Sequence, residues 1–175
     1  YKDMILNGKK VSKTILEEVK EQISKYDLRP GLGIIIVGDR PDSMLYVKMK
    51  KKMCKNLGIM NFDVYLPETI SEHDLLNQIE LMNNNYLIHG ILIQLPLPKH
   101  INQEKVLDKV LVSKDVDGFH NLNSGYILNN NKSAMAPCTP EGCIELLDRY
   151  NIEIEGKDVV VVGCSKIVGK PLGIM

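Results

Sequence analysis

Residues 32–37 read Leu-Gly-Ile-Ile-Ile-Val, an unbroken apolar run rich in β-branched side chains that ends at Gly38. A run with no polar face suits a strand covered on both sides, the kind that builds parallel sheets. Upstream, Val11, Ile15, Val19 and Ile23 recur every four residues with Leu16 alongside, which predicts a helix over residues 10–26. Pro30 and Gly31 end that pattern. Downstream, Asp42 or Ser43 can cap a helix that continues to Leu57 and stops at Gly58. Residues 62–66 alternate as a second strand. Ser71 followed by Asp74 opens a helix with Leu75, Leu76, Ile79 and Met82 on its inner face, and residues 83–85 form a turn. Residues 90–93 are a third strand. Strands alternating with helices predict an α/β fold with a parallel sheet.

The second half of the chain is less regular. Residues 102–111 suit a short amphipathic helix, and residues 114–120 (KDVDGFH) and 129–132 read as loops. Thr139, Pro140 and Glu141 supply an N-cap, a first-position proline and an early acid for a helix that runs to Tyr150. After Gly156 and Lys157, the valines at 159–162 read as a strand that opens a second, Rossmann-like unit.

Composition narrows the function classes. Lys plus Arg and Asp plus Glu both number 22, so the chain carries no net charge and lacks the footprint of a nucleic-acid binder. The local cluster Lys48, Lys50, Lys51, Lys52 and Lys55 can still attract a small polyanion. No apolar run is long enough to span a bilayer, and the N-terminus lacks a signal-peptide core, so neither a membrane nor secretion is expected. Cys54, Cys138, Cys143 and Cys164 form no C-x-x-C pair, and no His stands at ligand spacing from them. Reduced thiols and no metal are expected. The chain starts at Tyr1 and stops at Met175 just as a new unit begins, so it is read as a fragment.

Residues 42–52 read DSMLYVKMKKK, and in a helix Tyr46 and Lys50 lie one turn apart on the same face. Taken alone, the stretch reads better as a basic amphipathic helix with its lysines in water. Gln94 stands just past the third strand, at the carboxyl edge where open α/β sheets gather ligands. Its carboxamide can accept from a lysine ammonium, and Pro96 and Pro98 stiffen the loop that follows. Asp115 and Asp117 in DVDG lack the remaining ligands of a calcium loop. A single loop carboxylate can instead accept paired hydrogen bonds from an amino-amidine edge such as a pterin's, or simply cap a turn. Gly163, Ser165 and Gly169 form G-x-S-x-x-x-G after the valine run. This is a variant of the glycine-rich loop that lets backbone approach a pyrophosphate.

Five segments in register, SMLYVKMK, GILIQLPLP, KDVDGFHNLNSG, PCTPEGC and VVVGCSKIVGKP, resemble the bifunctional methylenetetrahydrofolate dehydrogenase/cyclohydrolase family over essentially the whole chain. The resemblance implies that Lys50 is the catalytic lysine, Tyr46 the tyrosine that packs on substrate, and Gln94 the glutamine that holds the lysine. It implies that Asp117 binds the pterin and that Ser43 and Pro98 line the folate site. Gly163, Cys164, Ser165, Ile167, Gly169 and Cys138 would surround an NADP cofactor, with NAD the other option. Residues 1–139 would be the catalytic domain, and residues 140–175 the beginning of the nucleotide-binding domain. Tetrahydrofolate derivatives would be the ligands. The full-length family members form homodimers, in cytosol or an organellar matrix. Two departures stand out. Cys164 occupies the place where many members carry an Arg for the 2′-phosphate, and Tyr126 replaces a basic residue after Gly125. Family members are also considerably longer.

The implied chemistry is oxidation of methylene- to methenyl-tetrahydrofolate followed by hydrolysis to 10-formyl-tetrahydrofolate. Lys50 should be neutral, or shed its proton early, because a fixed positive charge would oppose the cation that develops on hydride loss. Lys51 or Lys52 would attract the glutamate tail. Two other readings are kept. Tyr-x-x-x-Lys is also the pair of short-chain dehydrogenases, but their glycine-rich loop precedes the pair, and here it follows. A non-catalytic folate-binding fragment or pseudoenzyme fits the short chain. Apolar surface left open by missing parts would make such a fragment prone to association.

Overall fold

A computed structural model describes residues 5–175, so the first residues of the expected catalytic domain lie outside it. The chain divides into two compact units, one of residues 20–116 and one that joins residues 1–19 to residues 117–175. Helix α1 (Gly8–Lys25) is shared between them.

Residues 20–116 contain a three-stranded parallel sheet, β1 (Gly31–Val37), β2 (Met60–Leu66) and β3 (Gly90–Ile93), in the order β2-β1-β3. Central β1 is buried almost throughout, as its apolar run requires. The register pairs Ile34 with Asp63 on one side and with Leu92 on the other, which places these three on one face. Helix α2 (Pro41–Leu57) covers that face, and its Val47 is buried with Ile34, Ile36 and Leu92. Helix α3 (Glu72–Asn83) and α4 (Gln103–Leu107) cover the opposite face. There Leu75, Ile79, Met82 and Val106 join Ile35, Val37, Ile91 and Ile93 in one core. Phe62, Val64 and Leu66 of β2 pack against this second core, so the expected alternation of β2 is real.

The ends of the elements show where local chemistry decides. Ser71 accepts from the Asp74 amide and caps α3, as its spacing predicts. Gly58 ends α2 in the left-handed region at φ 78°, its amide reaching the carbonyls of Cys54 and Lys55. Neither Asp42 nor Ser43 caps α2. The helix begins at Pro41, and Asp42 instead takes a two-pronged bond from Arg40, at 3.2 and 2.8 Å. Proline at the first helical position needs no amide partner, so no side-chain cap is required.

In the second unit, α5 (Asn121–Leu128), α6 (Cys138–Arg149) and α7 (Gly169–Ile174) are helical. Thr139 does not cap α6, which begins one residue earlier. Residues 159–162 do not form a strand, and their valines are exposed by 37 to 97%. A strand needs a neighbour to pair its amides and carbonyls, and among the described residues no neighbour lies alongside. Arg149 forks onto Glu18 at 2.8 and 2.7 Å, which ties the middle of α1 to the end of α6.

Candidate active site

Helix α2 turns the stripe Ser43, Val47, Lys50 and Cys54 toward the sheet. Three of these are buried and Lys50 is half-buried, so an amine occupies a position where the pattern calls for an apolar side chain. Gln94 is the first residue beyond β3. Its amide continues the ladder to the Ile35 carbonyl at 2.9 Å, which leaves its side chain on the face that α2 covers. Lys50 Nζ donates to Gln94 Oε1 at 3.1 Å. The other end of the carboxamide is also held, since Gln94 Nε2 donates to the Leu95 carbonyl at 2.9 Å. That second bond fixes which way the amide points and presents its oxygen to the lysine.

Of the two residues expected beside Lys50, Gln94 bonds the amine and Tyr46 does not. Tyr46 is 60% exposed and its hydroxyl bonds to none of the described residues, because it sits one position off the buried stripe. An exposed ring beside a half-buried amine is free to lie against a ligand. Ser43 is buried at the start of the same stripe, and Pro98 is half-buried in the loop after Gln94.

Lys51 does not reach out for an anionic tail. Its Nζ lies 2.6 Å from Asp63 Oδ2 on β2, and that hydrogen bond, with the attraction of the charges, raises its pKa. Burial is the larger cause, and the Asp63 charge the smaller, that pushes the Cys54 thiol up. Lys52 stays exposed on the outer face of α2. Asp63 escaped the sequence reading, although a carboxylate in the middle of an otherwise strand-like run was a visible signal.

The DVDG segment is pinned at its start. Lys114 Nζ donates to the carbonyls of Met82, Asn83 and Asn85 at 3.3, 2.7 and 2.9 Å, which neutralises the end of α3. Asn83 completes the clamp, giving a bond to the Lys109 carbonyl and accepting one from the Leu111 amide. Asp115, 6% exposed, then bridges in parallel to Ile91. No cluster of metal-binding side chains occurs among the described residues.

In the second unit Asp117 is half-buried, and Gly118 follows at φ 69° with no room for a side chain against the Ala136 backbone. Cys138, exposed, is the first residue of α6. Further on, Gly163 has φ 136° and open space where a Cβ would stand. A Cβ on Gly169 would lie 2.2 Å from the Gly163 carbonyl oxygen, so the two ends of the loop touch only because Gly169 lacks a side chain. Ser165 Oγ accepts from the amides of Val168 and Gly169 at 3.1 and 3.4 Å and shapes the turn from inside. Cys164, Ser165 and Ile167 are exposed along it. The result is a closed backbone loop with its outer surface open.

Comparison with known proteins gives the family. Residues 6–117 match the tetrahydrofolate dehydrogenase/cyclohydrolase catalytic domain, and residues 137–175 match the NAD(P)-binding domain of the same family. The bifunctional protein FolD 2 of Arabidopsis thaliana is 47% identical over 98% of this chain, and the chain spans 59% of that protein's length. The crystal structure of the bifunctional enzyme FolD from Campylobacter jejuni superposes with a TM-score of 0.94 at 43% identity, covering 98% of this chain and 62% of its own. The Trypanosoma brucei dehydrogenase-cyclohydrolase, solved with NADP and an inhibitor, gives 0.84 at 36% identity over 95% of this chain and 57% of its own. The chain belongs to the tetrahydrofolate dehydrogenase/cyclohydrolase family.

Proposed function

We propose that the full-length protein oxidises methylene-tetrahydrofolate to methenyl-tetrahydrofolate with NAD(P)⁺ and hydrolyses the product to 10-formyl-tetrahydrofolate, with Lys50 as the acid–base group. The observation that supports this above all is the half-buried Lys50 amine held at 3.1 Å by an oriented Gln94, in a chain of this family. In the hydrolysis Lys50 takes a proton from the attacking water, and Gln94 keeps the amine aimed at it. Acid–base assistance of this kind is worth roughly 100- to 10,000-fold. Tyr46 lies against the substrate and Ser43 and Pro98 line the site around Lys50, while the family resemblance assigns the pterin edge to Asp117.

The loop from Gly163 to Gly169 fits the diphosphate of a dinucleotide, because no Cβ blocks approach at Gly163 and the loop is closed from within by Ser165. Ile167 and Cys138 would border the cofactor, which supplies the acceptor for the hydride when bound. NADP is the cofactor favoured by the family, with NAD as the alternative because Cys164 offers the 2′-phosphate no positive charge. We place residues 1–139 with folate and residues 140–175 with the cofactor. The full-length protein is proposed to be a homodimer of the cytosol or an organellar matrix, with no nucleic-acid or membrane partner. No described helix is long and apolar enough to cross a membrane.

The test is Lys50→Met in a chain that carries the complete cofactor domain. Cyclohydrolase turnover should fall by at least about 100-fold with the fold retained. Turnover within a few-fold of the parent would remove Lys50 from the mechanism.

A further inference from the structure

We infer that Asp63 is a positioning residue for the Lys50 amine, acting through Lys51; the inference rests on the acid–base role proposed for Lys50. Asp63 lies at the centre of β2, on the face that α2 covers, and its side chain is only 8% exposed. Aspartate is disfavoured in strands, and this one leaves Oδ1 buried without a partner. Asn61, two residues earlier on the same face, leaves its own Oδ1 in the same state. An edge strand needing only to pack under a helix would carry apolar residues here, and an apolar pair generally serves stability as well as a buried ion pair.

What Asp63 does hold is Lys51, at 2.6 Å, with the ammonium also 3.5 Å from the Tyr65 hydroxyl and 5.7 Å from the centre of its ring. Lys50 and Lys51 are neighbours, so their side chains leave α2 about 100° apart. Beneath the helix the strand order is β2-β1-β3. Lys51 therefore reaches the outer strand on one side of β1, while Lys50 reaches Gln94 beyond the outer strand on the other. Val47, seated on Ile34 and Ile36, is the fulcrum between them. A roll of α2 that relieves one tie strains the other. The pair thus sets the rotation of the helix, and with it the place of the Lys50 nitrogen.

Competitive acetylation of the chain, read by mass spectrometry, reports the Lys50 amine against that of Lys48 on the same helix. In Lys51→Met and in Asp63→Asn the Lys50-to-Lys48 labelling ratio should rise about three-fold or more, as expected for loss of a bond that orients one amine. Lys51→Arg, which can still meet the carboxylate, should keep the parent ratio. So should Lys105→Met, which removes an ion pair with Glu72 elsewhere on the surface. In the chain with its complete cofactor domain, the same two variants should lower cyclohydrolase kcat about ten-fold with the folate KM nearly constant. Lys51 is 43% exposed, so its replacement leaves the fold intact should Asp63→Asn not. An unchanged labelling ratio in Lys51→Met overturns the inference whatever the turnover. A changed ratio in a protein without folate turnover would uphold the helix tie and overturn the proposed function instead.

Discussion

Lys50 Nζ and Gln94 Oε1 lie 3.1 Å apart although 44 residues separate them, because the helix after β1 and the loop after β3 end on the same face of the sheet. The parallel order brings together two residue types that carry no chemistry singly.

Removing the acceptor tests that relationship. Gln94→Leu keeps much of the side-chain volume but leaves a half-buried amine without its bond. A half-buried donor left without its partner costs about 1–3 kcal/mol. If that energy orients Lys50 in the transition state, cyclohydrolase kcat falls roughly 5- to 150-fold, and stopped-flow decay of the methenyl absorbance measures it.

Lys114 gathers three carbonyls at the end of α3, of which those of Met82 and Asn85 also accept from backbone amides. Lys114→Met should lower the unfolding free energy by about 1–3 kcal/mol, seen as a shifted urea midpoint. Because the same residue starts the DVDG segment, binding of a folate analogue should weaken more than binding of NADP.

The contact of Gly169 with Gly163 leaves no space for a methyl group. Gly169→Ala forces the loop apart by a backbone movement, since its Cβ would meet a carbonyl at 2.2 Å. In a chain with the complete cofactor domain, the nucleotide Kd should rise about ten-fold or more, which corresponds to about 1.4 kcal/mol. Gly163→Ala, with open space but φ 136°, should cost less through contact and more through backbone strain.

Acid should act through Glu18. The hydrogen bond from Arg149 chiefly, helped by its charge and opposed by burial, holds this carboxyl below its ordinary value of 4.5. A group with a lowered folded pKa stabilises the protein above its unfolded value and loses that contribution as the pH falls through the folded one. Glu18→Gln should therefore be less stable than the parent at neutral pH, and the gap should close as the pH drops below 4.5. Urea midpoints across that range give the answer.

Much of the fold is legible in the chain itself, and particular residues show why. The four-residue recurrence from Val11 to Ile23 gives α1, the unbroken run before Gly38 gives β1, and Ser71 three residues before Asp74 marks the start of α3. Each is a local signal that tertiary contacts reinforce. Helix α5 went unread because Asn121–Leu128 holds a glycine and two asparagines and no clear apolar stripe; its start is capped by His120, which accepts from the Leu122 amide. The helix predicted over 102–111 stops at Leu107. The valines at 159–162 have strand propensity, but propensity without a paired neighbour does not make a strand.

The sequence by itself determined the alternation of strand and helix and the family, since both are written in the spacing of neighbouring residues. Only the tertiary structure decided that Tyr46 stays exposed and adds no bond to the lysine. It alone set Lys51 against Asp63. The physical reason is that strand order and register are long-range choices, settled by which apolar faces cover one another, and a side chain's partner follows from them rather than from its own segment.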